Sequence, residues 1–283
     1  MSAAAALERL AALPGVPEAI DAAREACTQL RWHPALRRRG PEARAEAGIR
    51  AVRASAALAG ARLPVDLVRD VARGAAAFPP DPSGRAALGV LRAHAEAETL
   101  APGWERAPLQ VLARLHVAAA AGLVPDDALG RPRLPGEVPG DGADLLRPDG
   151  TPLPAEDAAE LPGRLAALAD LVATPASVPA LVVAALAHAE IATLRPFVAA
   201  NGVVARAVCR ALVVGRGLDP TGVAVWEAAL LAAGPPFPLA LAGYAAGSAD
   251  GVRTWLLLFA GAVSEGAGEG RAVADAVLAG RLG

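Results

Sequence analysis

Arg195, Asn201, Gly202 and Arg206 bring the means of holding an anion into one short stretch of chain. Pro196 ends the helical pattern before it by removing a backbone donor and crowding the preceding turn. A second helical pattern opens at Gly202. The first turn of a helix leaves N–H groups unpaired and carries partial positive charge, so Asn201 and Gly202 stand where a phosphate would seat. Arg206, one turn further in, offers a permanent bidentate cation. Arg195 offers a second fixed charge but no basic nitrogen at neutral pH, so it cannot take a proton from a hydroxyl. Ala199 has no oxygen for a hard divalent cation. A plainer reading stands beside this one: a corner between two helices, with Asn201 as N-cap, Phe197 as a core plug and Arg206 on a surface.

The stretch Leu194-Arg195-Pro196-Phe197-Val198-Ala199-Ala200-Asn201-Gly202-Val203-Val204-Ala205-Arg206 resembles the signature of the Fic family, His-Pro-Phe-x-(Asp/Glu)-Gly-Asn-Gly-Arg-x-x-Arg. Pro196, Phe197, Asn201, Gly202 and Arg206 fit it. Arg195 stands at the position of the family's base, Ala199 at its metal acid, Ala200 at its first glycine and Val203 at its first arginine. Alanine at 200 restricts the left-handed backbone and close ligand approach that glycine would allow. Losing the base, the acid and a phosphate-binding cation together removes most of what drives phosphate-group transfer.

The resemblance extends upstream. Gly130, Arg131, Pro132 and Arg133 are similar to the start of the family's flap, a short β-hairpin that pairs with an extended segment of a target protein. Ser55, Ala59 and Gly60 resemble the inhibitory helix, (Ser/Thr)-x-x-x-Glu-(Gly/Asn), with alanine in place of its glutamate. The same residues also read as the end of a small-residue helix with Gly60 as terminator. His188, two helical turns before Arg195 and roughly 10 Å from it, reads as a buried, hydrogen-bonded structural histidine.

The resemblance implies a protein of the AMP-transferase family, degenerate at its motif. It would keep a loop for ATP, another nucleotide or phosphate, formed by Arg195, Asn201, Gly202 and Arg206. It would not hold magnesium in the usual way, and it would perform no transfer by the histidine–magnesium route. A protein partner along the flap is the implied partner. Two alternatives are group transfer with an unconventional base such as His188, and a purely structural or regulatory interaction protein.

The elements that must position these residues are helices. The chain of 283 residues is 54% hydrophobic and 3% aromatic, so its core is built from Ala, Leu and Val. That composition favours closely packed helices. The expected fold class is all-α, a Fic-type bundle with a hairpin flap. Helical patterns run over 17–33, 41–60, 64–77, 83–99, 106–121, 155–173, 178–193, 202–216, 221–233, 237–246, 251–265 and 267–281. Residues 125–154 are irregular and rich in Pro and Gly. The 202–216 helix is apolar almost all round and belongs inside a bundle. The organisation expected is an N-terminal region (1–103), a Fic-like core (104–220) and C-terminal helices (221–283), forming one compact unit.

Other chemistries find no support. A net charge of −2 gives no reason to expect nucleic acid. Every basic side chain is arginine, which removes lysine as nucleophile or P-loop residue. Cys27 and Cys209 lie far apart in apolar surroundings and read as reduced core residues. No metal site is expected from the four isolated histidines, and no Walker, GxGxxG, HExxH or GxSxG motif occurs. The N-terminus lacks the order of a secretory signal, and no apolar run reaches the ~18 residues of a membrane helix. The expected setting is cytoplasmic.

Overall fold

The computed structural model describes residues 3–100, 104, 106–147 and 149–281. Among them are twelve α-helices: α1 (Ala3–Ala11), α2 (Val16–Arg31), α3 (Pro34–Leu58), α4 (Val65–Ala72), α5 (Pro82–Leu100), α6 (Pro108–Ala120), α7 (Leu161–Val172), α8 (Ala180–Leu194), α9 (Asn201–Gly215), α10 (Trp226–Ala233), α11 (Pro236–Ala245) and α12 (Ala249–Leu278). The division expected after residue 103 falls at a position outside the described residues.

The centre of the molecule is the pair α8 and α9, whose mutual packing is the most extensive of any two helices. From Leu181 to Leu194, α8 is buried at every position but Glu190, and α9 is buried from Val203 to Val213. Helices apolar on all sides have no face to give to water, so the remaining elements must surround them. Helices α5 and α6 cover one flank, α7 and α11 another, and α12 reaches across to α2, α3, α10 and α8. Buried Arg210 of α9 is held by a bidentate pair to Glu227 of α10, at 2.9 and 2.6 Å, which ties the central helix to the C-terminal group.

The structure departs from the sequence expectation at several elements. Residues 3–11 form a helix of their own. Helix α3 begins before Pro41 and bends at Arg39 (φ −134°, ψ 34°) to admit that proline. Residues 155–160 are not helical, and α7 starts at Leu161. The two helices expected on either side of Gly266 are one continuous helix, α12. Gly266 is there for approach: an added Cβ would lie 2.4 Å from the Trp226 nitrogen, and its carbonyl accepts from Val225 N–H at 2.9 Å.

The expected β-hairpin flap is absent, and no strand occurs among the described residues. Pro132, Pro135 and Pro139 withdraw donors from both arms, so a ladder across residues 130–140 has too few N–H groups. The segment is instead pinned onto the α8–α9 corner: Arg133 N–H donates to the Pro196 carbonyl at 2.7 Å and Gly140 N–H to the Val198 carbonyl at 2.8 Å. Antiparallel pairing appears a few residues later, as a single bridge between Leu146 and Pro152.

Candidate functional site at the corner between α8 and α9

Two left-handed residues make the corner. Arg195 (φ 48°) ends α8 and Ala200 (φ 61°) precedes α9, and they are the only positive-φ residues other than glycine among those described. An L-residue pays roughly 1–2 kcal/mol for that conformation, so Ala200 accepts the backbone that its type was expected to resist. Asn201 closes the turn between them. Its Oδ1 accepts from Phe197 N–H at 2.8 Å, and its Nδ2 donates to the Phe197 carbonyl at 2.8 Å and to Asp141 Oδ1 at 2.7 Å. Both amide protons are used, so Asn201 shapes the loop and has no donor left for a ligand.

Asp141 is the residue that sequence reasoning missed. Its second oxygen accepts from Gly202 N–H at 3.4 Å, so a carboxylate from the 139–147 loop sits at the positive end of α9. The sequence carries it only as Gly140-Asp141-Gly142 in a stretch without periodicity, and nothing local connects it to a helix sixty residues on. Gly142 backs the arrangement. With φ +85°, it lies against Arg195, where an added Cβ would be 2.8 Å from Cδ.

The two arginines are also engaged. Arg195 is buried, donating through Nη2 to the Leu153 carbonyl and through Nη1 to the Asp141 carbonyl at 3.5 Å, while its Nε has no partner. Burial lowers its pKa, with Asp141 and Asp144 opposing. Arg206 is buried, not on a surface. Its Nε donates to Ser55 Oγ at 2.8 Å and Nη2 to the Ser55 carbonyl at 3.0 Å. Burial pulls its pKa down to about 10, against the pull of Glu227, Asp141 and Asp144. The α3 segment picked out by sequence therefore does meet the last arginine of the motif, through Ser55; Ala59 lines the adjoining cavity, and Gly60 ends the helix with φ +86°.

That cavity, about 180 Å³, is lined on one side by Asp141, Asp144, Arg195, Gly202 and Arg206 and on the other by Leu58, Val203, Phe237 and Leu241. It is smaller than the roughly 300–1,000 Å³ of most small-molecule sites. His188 lies at its inner end, 1% exposed, with both ring nitrogens unpaired. The hydrogen bonds expected of it are missing because aromatic rings surround it: Trp255 stacks on it at 5.2 Å, and Trp226, Phe237 and Phe259 stand around it. Burial there, with the Arg206 charge, pushes its pKa down to about 3, which makes it a poor proton acceptor.

The flap residues are structural in their contacts. Gly130 N–H donates to His116 Nδ1 at 3.0 Å, and the His116 ring stacks on Phe197 at 3.9 Å. Arg131 makes a bidentate pair with Glu137 and also donates to the Pro132 carbonyl. Arg133 donates to the carbonyls of Arg195, Glu137 and Glu156, so it clamps the loop onto the corner.

Magnesium, which the resemblance to the Fic signature would bring, does not fit these donors. The Ala199 side chain offers no oxygen, and no cluster of three or more His, Cys, Asp or Glu residues suited to a metal occurs among the described residues. No single helix among the described residues is long and apolar enough to cross a membrane.

No protein-family model and no curated protein matches the sequence. Solved structures do match. A Fic family protein from Desulfovibrio desulfuricans G20 superposes with a TM-score of 0.68 at 20% identity, over 89% of this chain and 73% of its own. A fragment of Fic-1 from C. elegans gives 0.61 at 15% identity, over 90% and 71%. A Fic domain containing signaling protein from Bacteroides thetaiotaomicron VPI-5482 gives 0.61 at 12% identity, over 91% and 98%. In the order and packing of its helices, this chain has the Fic fold.

Proposed function

We propose that this chain is a Fic-like protein that binds a phosphate-bearing ligand, a nucleotide foremost, at the N-terminus of α9 and does not transfer AMP to protein. The observation that supports it is the Asp141 carboxylate on Gly202 N–H. The seat holds an anion, and the anion it holds belongs to the chain itself. A ligand phosphate would take the same N–H group after displacing Asp141, with Arg195 and Arg206 supplying charge around it. A cavity of about 180 Å³ would enclose part of a nucleotide and leave the rest outside.

The absence of transfer rests on the residues at the reacting positions. Arg195 takes no proton, Ala199 holds no metal, and His188 is weakly basic and walled in by rings. What remains is recognition: a fixed helix terminus, two buried cations and a competing internal carboxylate. The chain would respond to a ligand by releasing Asp141 and the loop that carries it.

Calorimetric titration of ATP, ADP, AMP and inorganic phosphate into wild type and Asp141→Ala tests this reading. Binding that tightens about tenfold in the variant is expected, since a like charge leaves the seat. If neither protein binds any of the four, the corner is structural only. Incubation with ATP labelled in its α-phosphate, with magnesium or manganese and cell lysate, checks the second half. Label on protein above a control lacking the chain would overturn it.

A further inference from the structure

A second cavity, of about 620 Å³, lies on the other face of α8. Where the corner cavity takes His188, Ala192 and Arg195 from that helix, this one takes Leu186, Glu190, Thr193 and Leu194. Its size is within the range of small-molecule sites. We propose that it is a binding site for an aliphatic carboxylate with its acid group at Arg147.

The walls point to the chain. Leu10 of α1, Leu153 of the loop before α7, Leu168 and Leu171 of α7, and Leu186 and Leu194 of α8 line the cavity, and Tyr244 is the only aromatic residue there among those described. Branched aliphatic side chains give no flat face for a planar ring, and they make many small dispersion contacts with a flexible hydrocarbon. Leu153, Leu168, Leu186 and Leu194 are already buried in the fold, at 3–9% exposure, while Leu10 and Leu171 remain partly exposed and would gain burial from a hydrocarbon occupant.

The polar groups point to the acid. Each carboxylate oxygen at the cavity already has a donor: Arg164 bridges Glu156 Oε2 and Glu190 Oε2, both at 2.9 Å, Tyr244 O–H donates to Glu190 Oε1 at 2.6 Å, and Asp157 N–H donates to Glu156 Oε1 at 3.2 Å. Both carboxylates are thus charge-paired or hydrogen-bonded within the fold, whereas the Arg147 guanidinium brings unpaired donors. Arg147 is exposed at the cavity wall, and its guanidinium has no hydrogen-bonded or ion-paired partner among the described residues, although its charge reaches Asp149. A guanidinium with free N–H groups beside an apolar cavity suits a bidentate carboxylate. A cationic head group would instead meet the like charge of Arg147.

This inference does not depend on the α9 corner, and the two sites can be tested apart. Calorimetric titration of decanoate, decanol and decylamine into the full chain is the experiment. Decanoate is expected to bind saturably at one site, with decanol about tenfold weaker and decylamine weaker still. Arg147→Ala is expected to weaken decanoate about tenfold and leave decanol unchanged. Leu168→Trp, which fills the cavity, and Leu10→Trp, which fills it from α1 in case the first variant does not fold, should each remove binding of both. No saturable decanoate binding, equal binding of decylamine, or decanoate binding that survives a folded cavity-filling variant would overturn the assignment.

Discussion

The carboxylate of Asp141 lies 2.7 Å from the side-chain amide of Asn201 and 3.4 Å from the main-chain N–H of Gly202, so the positive end of α9 is paired from within the chain. Asp141 thereby stabilises the fold, and under the proposed function it would compete with a ligand for the same N–H group. Its removal should move these two properties in opposite directions. Asp141→Ala is expected to lose about 1 kcal/mol of stability, the usual effect of losing an N-terminal cap or a favourable dipole charge. Urea denaturation of the variant whose nucleotide binding is measured reads both. A variant destabilised without tighter binding would leave Asp141 as a cap and nothing more.

Ser55 and Arg206 join α3 to the heart of the bundle through a buried charge. Ser55→Ala removes the Oγ that accepts from Nε and leaves a charged N–H group buried without a partner. The expected cost is about 1–3 kcal/mol, read as a lower urea midpoint with an unchanged slope. A loss under about 0.5 kcal/mol, the scale of ordinary surface substitutions, would mean that the pair contributes little to holding α3 in place.

His188 makes stability depend on pH in a definite direction. Its folded pKa of about 3 lies below its ordinary value of 6.5, so the unfolded chain takes up the proton first. Stability is intact above that ordinary value and is lost as pH falls from there toward the folded pKa, by about 1.4 kcal/mol per pH unit per proton. His116, pushed down to about 4 chiefly by burial, adds to the same trend over a narrower window. In His188→Phe the dependence of stability on pH, measured between about 6.5 and 5, should be shallower by close to one proton. An unchanged slope would show that the ring is not held neutral in the fold.

Ala200 holds a left-handed conformation at φ 61° without the freedom of glycine. Ala200→Gly should relieve the strain and stabilise the chain by about 0.5–1 kcal/mol, after the extra entropy of glycine in the unfolded state is deducted. A rise of a few degrees in Tm is the expected reading. A fall would indicate that the methyl group's packing outweighs the strain.

The sequence by itself determined the all-helical class, the central place of α9, and the short stretch from Arg195 to Arg206 as the site to watch. These are local matters: helix periodicity, a proline that stops one helix, and an apolar helix that must be surrounded. It also picked out Ser55, Ala59 and Gly60 by their resemblance to an inhibitory helix, and the tertiary structure places Ser55 against Arg206. Its errors also had local causes. The prolines that made residues 130–140 look like a distinct loop are the residues that prevent a hairpin there, and Gly266, a helix stop by pattern, serves the approach of α12 to Trp226. Only the tertiary structure decided what pairs with the N-terminus of α9, what His188 faces, and that a leucine-lined cavity opens behind α8. Each depends on residues far apart in the chain, such as Asp141 with Gly202 or Trp255 with His188, meeting at a helix end or a ring face. Contacts of that kind leave no period or spacing in the sequence, because they are set by how the helices pack and not by the order of residues along any one of them.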